Sequence, residues 1–268
     1  MNTSLHKGTA LITGASSGIG AVYADRLARS GYDLILVARR ADKLRLLAGE
    51  LTSRTGRSVE TLAADLTNPS DLARVEAVLR HDASITLLVN NAGVGATAPL
   101  LLSDVAEMER MVALNVGVPM RLAYAAAPAF VARGTGTIVN IASIVAIAPE
   151  VLNGVYGGSK AFVLAFSQSL QHELADKGVR VQAVLPGATA TDFWDHAGTP
   201  VEHLPREIVM SAEDMVDAAL AGLAQGEVVT IPSLPDVGDW ARFESARQGL
   251  VPKLSLATPA ARYAVASK

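Results

Sequence analysis

The stretch TALITGASSGIG, residues 9–20, decides the fold. Its apolar half, Thr9–Thr13, predicts a short buried strand, and the residues after Gly18 take up helical spacing as far as Ser30. Glycines let a backbone approach a pyrophosphate, which the free N–H groups at the start of a helix also attract. The spacing is GxxxGxG rather than GxGxxG, and such turns also occur with nothing bound. The stretch therefore predicts a strand, a turn and a helix suited to a dinucleotide.

Strands and helices alternate along the rest of the chain. The hydrophobic fraction is 50% and the aromatic fraction only 4%, so the core must be aliphatic, which is typical of buried parallel strands covered by helices. We expect an α/β fold in which residues 1–268 form a single domain, doubly wound around a seven-stranded, predominantly parallel sheet with helices on both faces. The further strands are predicted at residues 33–38, 59–64, 85–89, 136–141, 179–185 and 228–231.

The composition excludes several classes of function. The net charge of -3 provides no basic surface for nucleic acid, and the absence of cysteine removes disulfides and thiol chemistry. The histidines form no HxxxH or HExxH pattern, so we expect no metal site, even around Glu202 and His203. No apolar run reaches the length of a membrane span or forms a leader, so we expect a cytoplasmic protein without a membrane partner.

Two strand ends carry polar residues that fit a nucleotide. The second strand ends in Ala38, where an acidic residue would accept hydrogen bonds from an adenosine ribose, and Arg39 and Arg40 follow it. A basic residue there accommodates a 2′-phosphate, so the pair favours NADP over NAD; the alternative is ordinary surface charge. The fourth strand runs into Asn90–Gly93, NNAG, whose small residues allow a ligand close to the backbone.

A hydroxyl, a phenol and an ammonium group occur together in residues 143–160. Tyr156 and Lys160 are spaced i and i+4, so a helix places them on one face. A lysine charge favours the ionised form of a phenol, whose usual pKa is about 10, so the pair suits proton exchange near neutrality. Ser143, brought alongside by a turn, could hydrogen-bond the same reacting oxygen. A bare YxxxK is common, and the alternative is a surface tyrosine beside a solvated lysine.

The helical region at residues 103–133 contains poor helix formers near its middle. Asn115 and Gly117 lie inside it, and Pro119 follows directly. We therefore expect a bend near Asn115, where a backbone carbonyl could be freed.

With these motifs in order, the sequence resembles the compact, single-domain members of the short-chain dehydrogenase/reductase family over roughly residues 9–231. The resemblance implies a Rossmann-type sheet and reversible hydride transfer between a nicotinamide and a carbonyl or alcohol carbon. It implies that Tyr156 is the general acid in reduction and that Ser143 orients the substrate oxygen. Lys160 would lower the pKa of the tyrosine and bind the nicotinamide ribose, and Asn115 would hold a water that links Lys160 to solvent.

The family pattern also implies a set of NADP(H) contacts. These contacts cover the phosphates, the adenine and adenosine, and the nicotinamide. Tyr156 and Lys160 are also implied to contact the nicotinamide end. One departure is Gly157-Gly158, which replaces a bulkier pair after the tyrosine and leaves the shape of the pocket open. The implied residues are Gly14, Ser16, Ser17, Gly18, Ile19 and Gly20 at the phosphates, Asp65 and Leu66 at adenine, Asn91, Ala92 and Gly93 at adenosine, and Pro186, Gly187, Thr189 and Thr191 at the nicotinamide.

The substrate is expected to be a small carbonyl or alcohol compound. Residues 146–155 and a substrate loop at about 192–210 are mostly apolar, which favours a hydrophobic ketone, aldehyde or secondary alcohol. Phe193 and Trp194 of this loop could touch the ligand or only cover the core. The extension at about 235–268 could pack on the loop or on a second subunit.

A homodimer or homotetramer is expected from the resemblance. Small-residue faces at residues 123–130 and 165–170 could pair across a two-fold axis; the alternative is that they cover the sheet. Two other functions stay open: an NADP-binding sensor or scaffold without turnover, and an NAD-linked alcohol dehydrogenase.

Overall fold

Residues 7–263 are described in the computed structural model of the chain. The chain divides into two compact units, one that runs through Pro232 and one that begins at Ser233. The single domain expected over residues 1–268, with its C-terminal extension, stays a prediction.

The first unit is built on a sheet of seven strands. They are β1 (Thr9–Thr13), β2 (Asp33–Ala38), β3 (Val59–Ala63), β4 (Ile85–Asn90), β5 (Gly136–Ile141), β6 (Val179–Val184) and β7 (Val229–Thr230). Their order in the sheet is β3-β2-β1-β4-β5-β6-β7, and every neighbouring pair is parallel. The predicted doubly wound parallel sheet is therefore confirmed.

Helices cover both faces of this sheet. They are α1 (Gly18–Arg29), α2 (Ala41–Thr55), α3 (Pro69–His81), α4 (Val105–Val112), α5 (Val118–Arg133), α6 (Gly154–Leu174), α7 (Phe193–Ala197) and α8 (Ala212–Gln225). Among the described helices, none combines the length and the apolar character that crossing a membrane requires.

Alternate residues of β1 enter two different cores. Ala10 and Ile12 pack with residues of α1 and α8 on one face, whereas Leu11 packs with residues of α3 and α5 on the other. This is the two-residue period of a strand that is buried on both faces. The apolar run of β1 therefore packs against a layer of helices on each face of the sheet.

Several helix ends follow from local sequence. Asn68 accepts hydrogen bonds from the backbone N–H groups of Ser70 and Asp71, and Pro69 opens α3. Ser211 accepts one from the N–H of Asp214 at the start of α8, over 3.0 Å. These side chains satisfy N–H groups that a helix leaves free at its first turn, so short local patterns fix the starts of α3 and α8.

Two carboxylates join helices that are distant in the sequence. Asp25 of α1 is nearly buried and receives the guanidinium groups of Arg26, Arg29 and Arg54 at 2.8–2.9 Å. Arg26 also binds Asp217 of α8. On the other face of the sheet, Glu76 of α3 receives Arg80 at 2.8 Å and Arg121 of α5.

Part of the small-residue faces expected to pair two subunits is buried within one chain, whereas Ala165 and Ser169 are exposed. Ala123, Ala126 and Phe130 are buried in the core on the α5 side of the sheet, and Leu170 is buried with them. For these residues the alternative that they cover the sheet is correct, because their contacts are already made.

The second unit contains α9 (Val237–Leu250) and two short turns, Val251–Lys253 and Ala261–Tyr263. Asp236 caps α9 by accepting a hydrogen bond from the N–H of Gly238 at 2.7 Å. Within the helix, the rings of Trp240 and Phe243 lie 5.2 Å apart.

Candidate active site

The predicted site residues follow the carboxyl ends of the strands. The strand order reverses between β1 and β4, because the chain continues from β1 to β2 on one side and returns to β4 on the other. In open parallel sheets this reversal leaves a crevice where ligands bind. The residues at this edge are Gly14, Arg39, Asp65, Asn91, Ser143 and Pro186.

The glycine turn after β1 is held by the segment after β4. Asn91 donates its side-chain amide to the carbonyl oxygens of Thr13 and Gly14 at 3.0 and 3.2 Å. Gly14 has a positive φ of 66°, and a Cβ there would lie 2.8 Å from the amide nitrogen of Asn91. Only glycine combines this conformation with this approach, so the turn and NNAG form one structure.

The backbone N–H groups at the start of α1 are not capped by a side chain. Ser17 stands at the N-cap in an extended conformation but makes no side-chain capping bond, and no acidic residue lies in the first turn. A Cβ on Gly20 would lie 2.3 Å from the carbonyl oxygen of Gly14, so the helix packs directly against the turn. Free N–H groups at a positive dipole end fit a phosphate. Ser16, Gly18 and Ile19 belong to this same turn.

Arg39 and Arg40 are exposed directly after β2, beyond the buried Ala38. The hydroxyl and N–H of Thr67 hold the pKa of Asp65 below its usual range, and the positive charge of Arg39 acts in the same direction. The structure therefore brings Arg39 near Asp65, at the end of the crevice where adenosine is expected, and places the buried Leu66 beside it.

Tyr156 lies in the first turns of α6 and is only 5% exposed. Burial raises its pKa to about 12, while a hydrogen bond with Ser143 acts in the opposite direction. Ser143 is itself buried after β5. The structure therefore brings phenol and hydroxyl together, as the sequence predicted.

Lys160 is buried one helical turn beyond Tyr156 and donates its ammonium group to the carbonyl oxygen of Ile141 at 2.9 Å. Burial lowers the pKa of Lys160 to about 8. Its Nζ lies 5.8 Å from the centre of the Tyr156 ring. Burial is the main cause of the raised pKa of Tyr156, and the opposing contribution comes from Ser143, so the predicted effect of Lys160 on the phenol stays a prediction.

Asn115 lies in a π-helical turn, Ala113–Gly117, between α4 and α5. Its side-chain oxygen accepts from the N–H of Val94 at 3.0 Å, and its amide donates to the Val94 carbonyl oxygen at 2.8 Å and to Ser159 at 3.1 Å. The predicted irregularity in the helix is therefore present, as a π turn. A Cβ on Gly93 would lie 3.1 Å from Asn115 Oδ1 and 3.5 Å from Lys160 Nζ, so the three residues meet.

The nicotinamide end of the predicted site follows β6. The carbonyl oxygen of Pro186 accepts from Ser143 Oγ at 3.4 Å. Thr189 is buried and donates to the Gly187 carbonyl oxygen, and the Thr191 methyl group would lie 3.0 Å from a Cβ on Gly18. The segment after β6 therefore lies beside the start of α1.

Sequence reasoning missed the role of Asn153. It is buried and caps α6, accepting from the N–H groups of Val155 and Tyr156 at 2.8 and 3.4 Å. Its amide donates to the Ala98 carbonyl oxygen at 2.6 Å. An asparagine just before the start of a helix is a signal that could have identified this cap.

The segment predicted to be the substrate loop contains α7, and its two aromatic residues, Phe193 and Trp194, have different surroundings. Trp194 is buried and donates its indole N–H to the Thr189 carbonyl oxygen at 3.0 Å. Phe193 instead faces Tyr156, with ring centres 5.8 Å apart. In the part of the chain that the structure describes, no three His, Asp or Glu residues lie together as a group that could hold a metal ion. His196 lies in α7, and His203 lies in the short turn Val201–His203.

Comparison with known proteins agrees with this architecture. The family model for short chain dehydrogenase matches residues 8–201. A short-chain dehydrogenase from Sphingobium yanoikuyae in complex with NADPH is 50% identical, superposes with a TM-score of 0.92, and is matched over 94% of this chain and 98% of that one.

Two further relatives have named activities. The bulky-bulky ketone specific alcohol dehydrogenase from Comamonas testosteroni is 46% identical, with a TM-score of 0.88 and coverage of 96% of this chain and 98% of that one. Serine 3-dehydrogenase from Agrobacterium fabrum is 36% identical over 69% of this chain and 74% of that protein. On these matches and the parallel sheet, the chain belongs to the short-chain dehydrogenase/reductase family of oxidoreductases.

Proposed function

We propose that the chain is an NADPH-dependent carbonyl reductase whose substrates are ketones with apolar substituents. The observation that carries this proposal is the buried pair of Tyr156 and Ser143, which lies at the carboxyl end of β5 with Lys160 beside it. These residues can hydrogen-bond one carbonyl oxygen from two directions and give it a proton.

The cofactor is NADP(H), and the residues present fit it. The uncapped start of α1 and the glycine turn would hold the phosphates, and Arg39 would hold the 2′-phosphate that distinguishes NADP from NAD. When bound, NADPH supplies the hydride that reduces the carbonyl carbon. A relative that is 50% identical was solved in complex with NADPH, which supports this assignment.

Tyr156 can act as the proton donor when a carbonyl group is reduced. With its pKa raised to about 12, the phenol keeps its proton at neutral pH and can donate it to the substrate oxygen. Ser143 donates to the same oxygen and orients it. In the reverse reaction the same group, as the phenolate, would accept the proton from the alcohol, so these residues suit hydride transfer in both directions.

Apolar side chains surround the phenol and support an apolar ketone. Tyr156 packs in a cluster with Met108, Met111 and Val145, and Phe193 lies against it. Such walls favour a hydrophobic substituent over a phosphate or a sugar. The relative from Comamonas testosteroni, an alcohol dehydrogenase specific for bulky-bulky ketones, supports the same class.

The test is NADPH oxidation with a panel of aldehydes, aryl ketones, cyclic ketones and quinones. Tyr156→Phe should lower kcat by about 100-fold or more while NADPH affinity, measured by calorimetry, is kept. Tyr124→Phe is the matched control, because Tyr124 is 71% exposed and should leave kcat unchanged. Undiminished turnover by Tyr156→Phe would refute the proposal, and NADPH binding without turnover of any compound would favour a sensor.

A further inference from the structure

The ring of Phe193 occupies a notch above Gly95. A Cβ on Gly95 would lie 2.2, 2.8 and 3.1 Å from three atoms of that ring, and these are its nearest neighbours. Real Cβ atoms do not approach other atoms to 2.2 Å, so any larger residue at position 95 requires the ring to move. Gly95 and Phe193 are therefore matched in shape although they come from different loops.

Two other aromatic rings fix the position of Phe193. Its ring lies 5.8 Å from the Tyr156 ring at 44°, and 5.6 Å from the Trp194 ring at 89°, in an edge-to-face contact. Trp194 is itself anchored by its indole hydrogen bond to Thr189. The ring of Phe193 is thus bounded by Gly95, Tyr156 and Trp194 and is half-buried.

The backbone of the substrate loop is tied to the segment that carries Gly95. Thr97 donates its N–H and its hydroxyl to the Ala197 carbonyl oxygen at 3.0 and 2.9 Å. Thr199 donates to the Thr97 hydroxyl at 3.1 Å. These bonds lie two residues beyond Gly95 and four residues beyond Phe193, so they hold the two segments together next to the notch.

We infer that Phe193 is the residue that determines substrate size in this site, and that Gly95 determines where its ring lies. The inference rests on the proposed ketone reduction. The ring closes one side of the space beside the Tyr156 phenol, so it limits the width of the substituent that a ketone can place there. Removing the ring should admit a wider ketone, and displacing it through Gly95 should have a similar effect.

A double-mutant cycle tests this inference. Wild type, Gly95→Ala, Phe193→Ala and the double variant are compared for kcat/KM with a narrow and a wide aryl ketone. Phe193→Ala should raise the ratio of kcat/KM for the wide ketone to kcat/KM for the narrow ketone by about tenfold or more. Gly95→Ala should change the ratio in the wild-type background and have no effect in the Phe193→Ala background, since every atom within 3.1 Å of the new Cβ belongs to Phe193. Gly49→Ala is the control, because nothing lies within 4 Å of that position.

A second measurement does not depend on turnover. N-acetylimidazole acetylates exposed tyrosine hydroxyl groups, and peptide mass spectrometry identifies each one. Acetylation of Tyr156 should be slow in wild type and faster in Phe193→Ala and Gly95→Ala, relative to Tyr124, which is 71% exposed.

The outcomes separate the two claims. If no ketone is reduced by wild type although NADPH binds, the proposed reductase function fails, and acetylation still decides whether Phe193 covers Tyr156. An unchanged ratio and unchanged acetylation in Phe193→Ala would overturn the inference. Equal effects of Gly95→Ala in both backgrounds would overturn the assignment of Gly95.

Discussion

Lys160 donates its ammonium group to the carbonyl oxygen of Ile141 at 2.9 Å rather than to the phenol of Tyr156. Burial lowers the pKa of Lys160 to about 8, so its positive charge is lost as pH rises through that value. We expect kcat/KM for ketone reduction to fall above about pH 8. Because the pKa of Tyr156 is raised to about 12, the phenol does not titrate in this range.

A pH profile of kcat/KM with saturating NADPH checks this prediction. Lys160→Met should be slower at every pH and should lack the alkaline decline. A wild-type profile that stays level until the tyrosine ionises would contradict the assignment.

The same lysine has a defined effect on stability. In the unfolded chain its pKa is near the ordinary 10.5, and in the folded chain it is about 8, so between these values the unfolded state binds more protons. The free energy of unfolding should therefore rise with pH in this window. Urea unfolding should show that Lys160→Met lacks this contribution and is more stable than wild type at neutral pH. Identical pH slopes for the two proteins would show that Lys160 is not desolvated.

The two glycines after Tyr156 differ in the room they leave. A Cβ on Gly157 would lie 3.2 Å from Cα and Cβ of Pro149, whereas nothing lies within 4 Å of one on Gly158. Gly158→Ala should therefore stabilise α6 by about 0.5 to 1 kcal/mol and keep KM unchanged. Gly157→Ala should gain less stability and alter KM for ketones, because it pushes the Pro149 turn away from the helix. Urea unfolding and steady-state kinetics compare the two variants. Equal stability and equal KM would contradict the claim that Gly157 leaves room for the Pro149 turn.

Arg39 should distinguish the two nicotinamide cofactors. Arg39→Ala should weaken NADPH binding by about 10- to 100-fold, the range for loss of a charged hydrogen bond, and leave NADH binding nearly unchanged. Calorimetric titration with each nucleotide measures this, and Arg45→Ala, at an exposed position of α2, is the control. Equal losses for NADPH and NADH would refute the 2′-phosphate assignment.

Asp25 should matter more to stability than Asp217, although both bind Arg26. Burial alone would raise the pKa of Asp25, but its arginine partners hold it below the ordinary value. Asp25→Asn should lower the free energy of unfolding by about 1.5 to 3 kcal/mol, and Asp217→Asn, at a side chain that is 54% exposed, by less than about 1 kcal/mol.

Denaturant unfolding over a range of acidic pH measures the difference between these two variants. Since the pKa of Asp25 is lowered, its contribution is present above the unfolded value of 3.8 and is lost as pH falls further. Wild type and Asp25→Asn should therefore converge in acid. A gap that persists there would mean that packing, not charge, carries the effect.

Local features of the fold could be predicted from the sequence. The glycine turn after β1, the cap at Asn68 and the cap at Ser211 each depend on residues a few positions apart, and the alternation of strand and helix fixes the parallel sheet. The proximity of Ser143, Tyr156 and Lys160 in the fold could be predicted, because the three residues lie close in the chain and match a motif of a known family.

Features that depend on distant segments could not be predicted. The notch at Gly95 is defined by Phe193, and the cap of α6 is tied to Ala98, across loops that only the fold brings together. The pKa of Tyr156 depends on burial, which spacing does not reveal. The small residues of α5 showed that a face is apolar, but not that the same chain covers it.

The position of β1 at the centre of the sheet has a consequence for synthesis. β1 pairs with β2, which follows at once, and with β4, which is translated much later. Asn91, just beyond β4, supplies the amide that closes the turn at Gly14. A nascent chain therefore cannot complete the turn that we propose to hold the phosphates until Asn91 has left the ribosome, and a peptide released at any earlier codon should not bind the nucleotide.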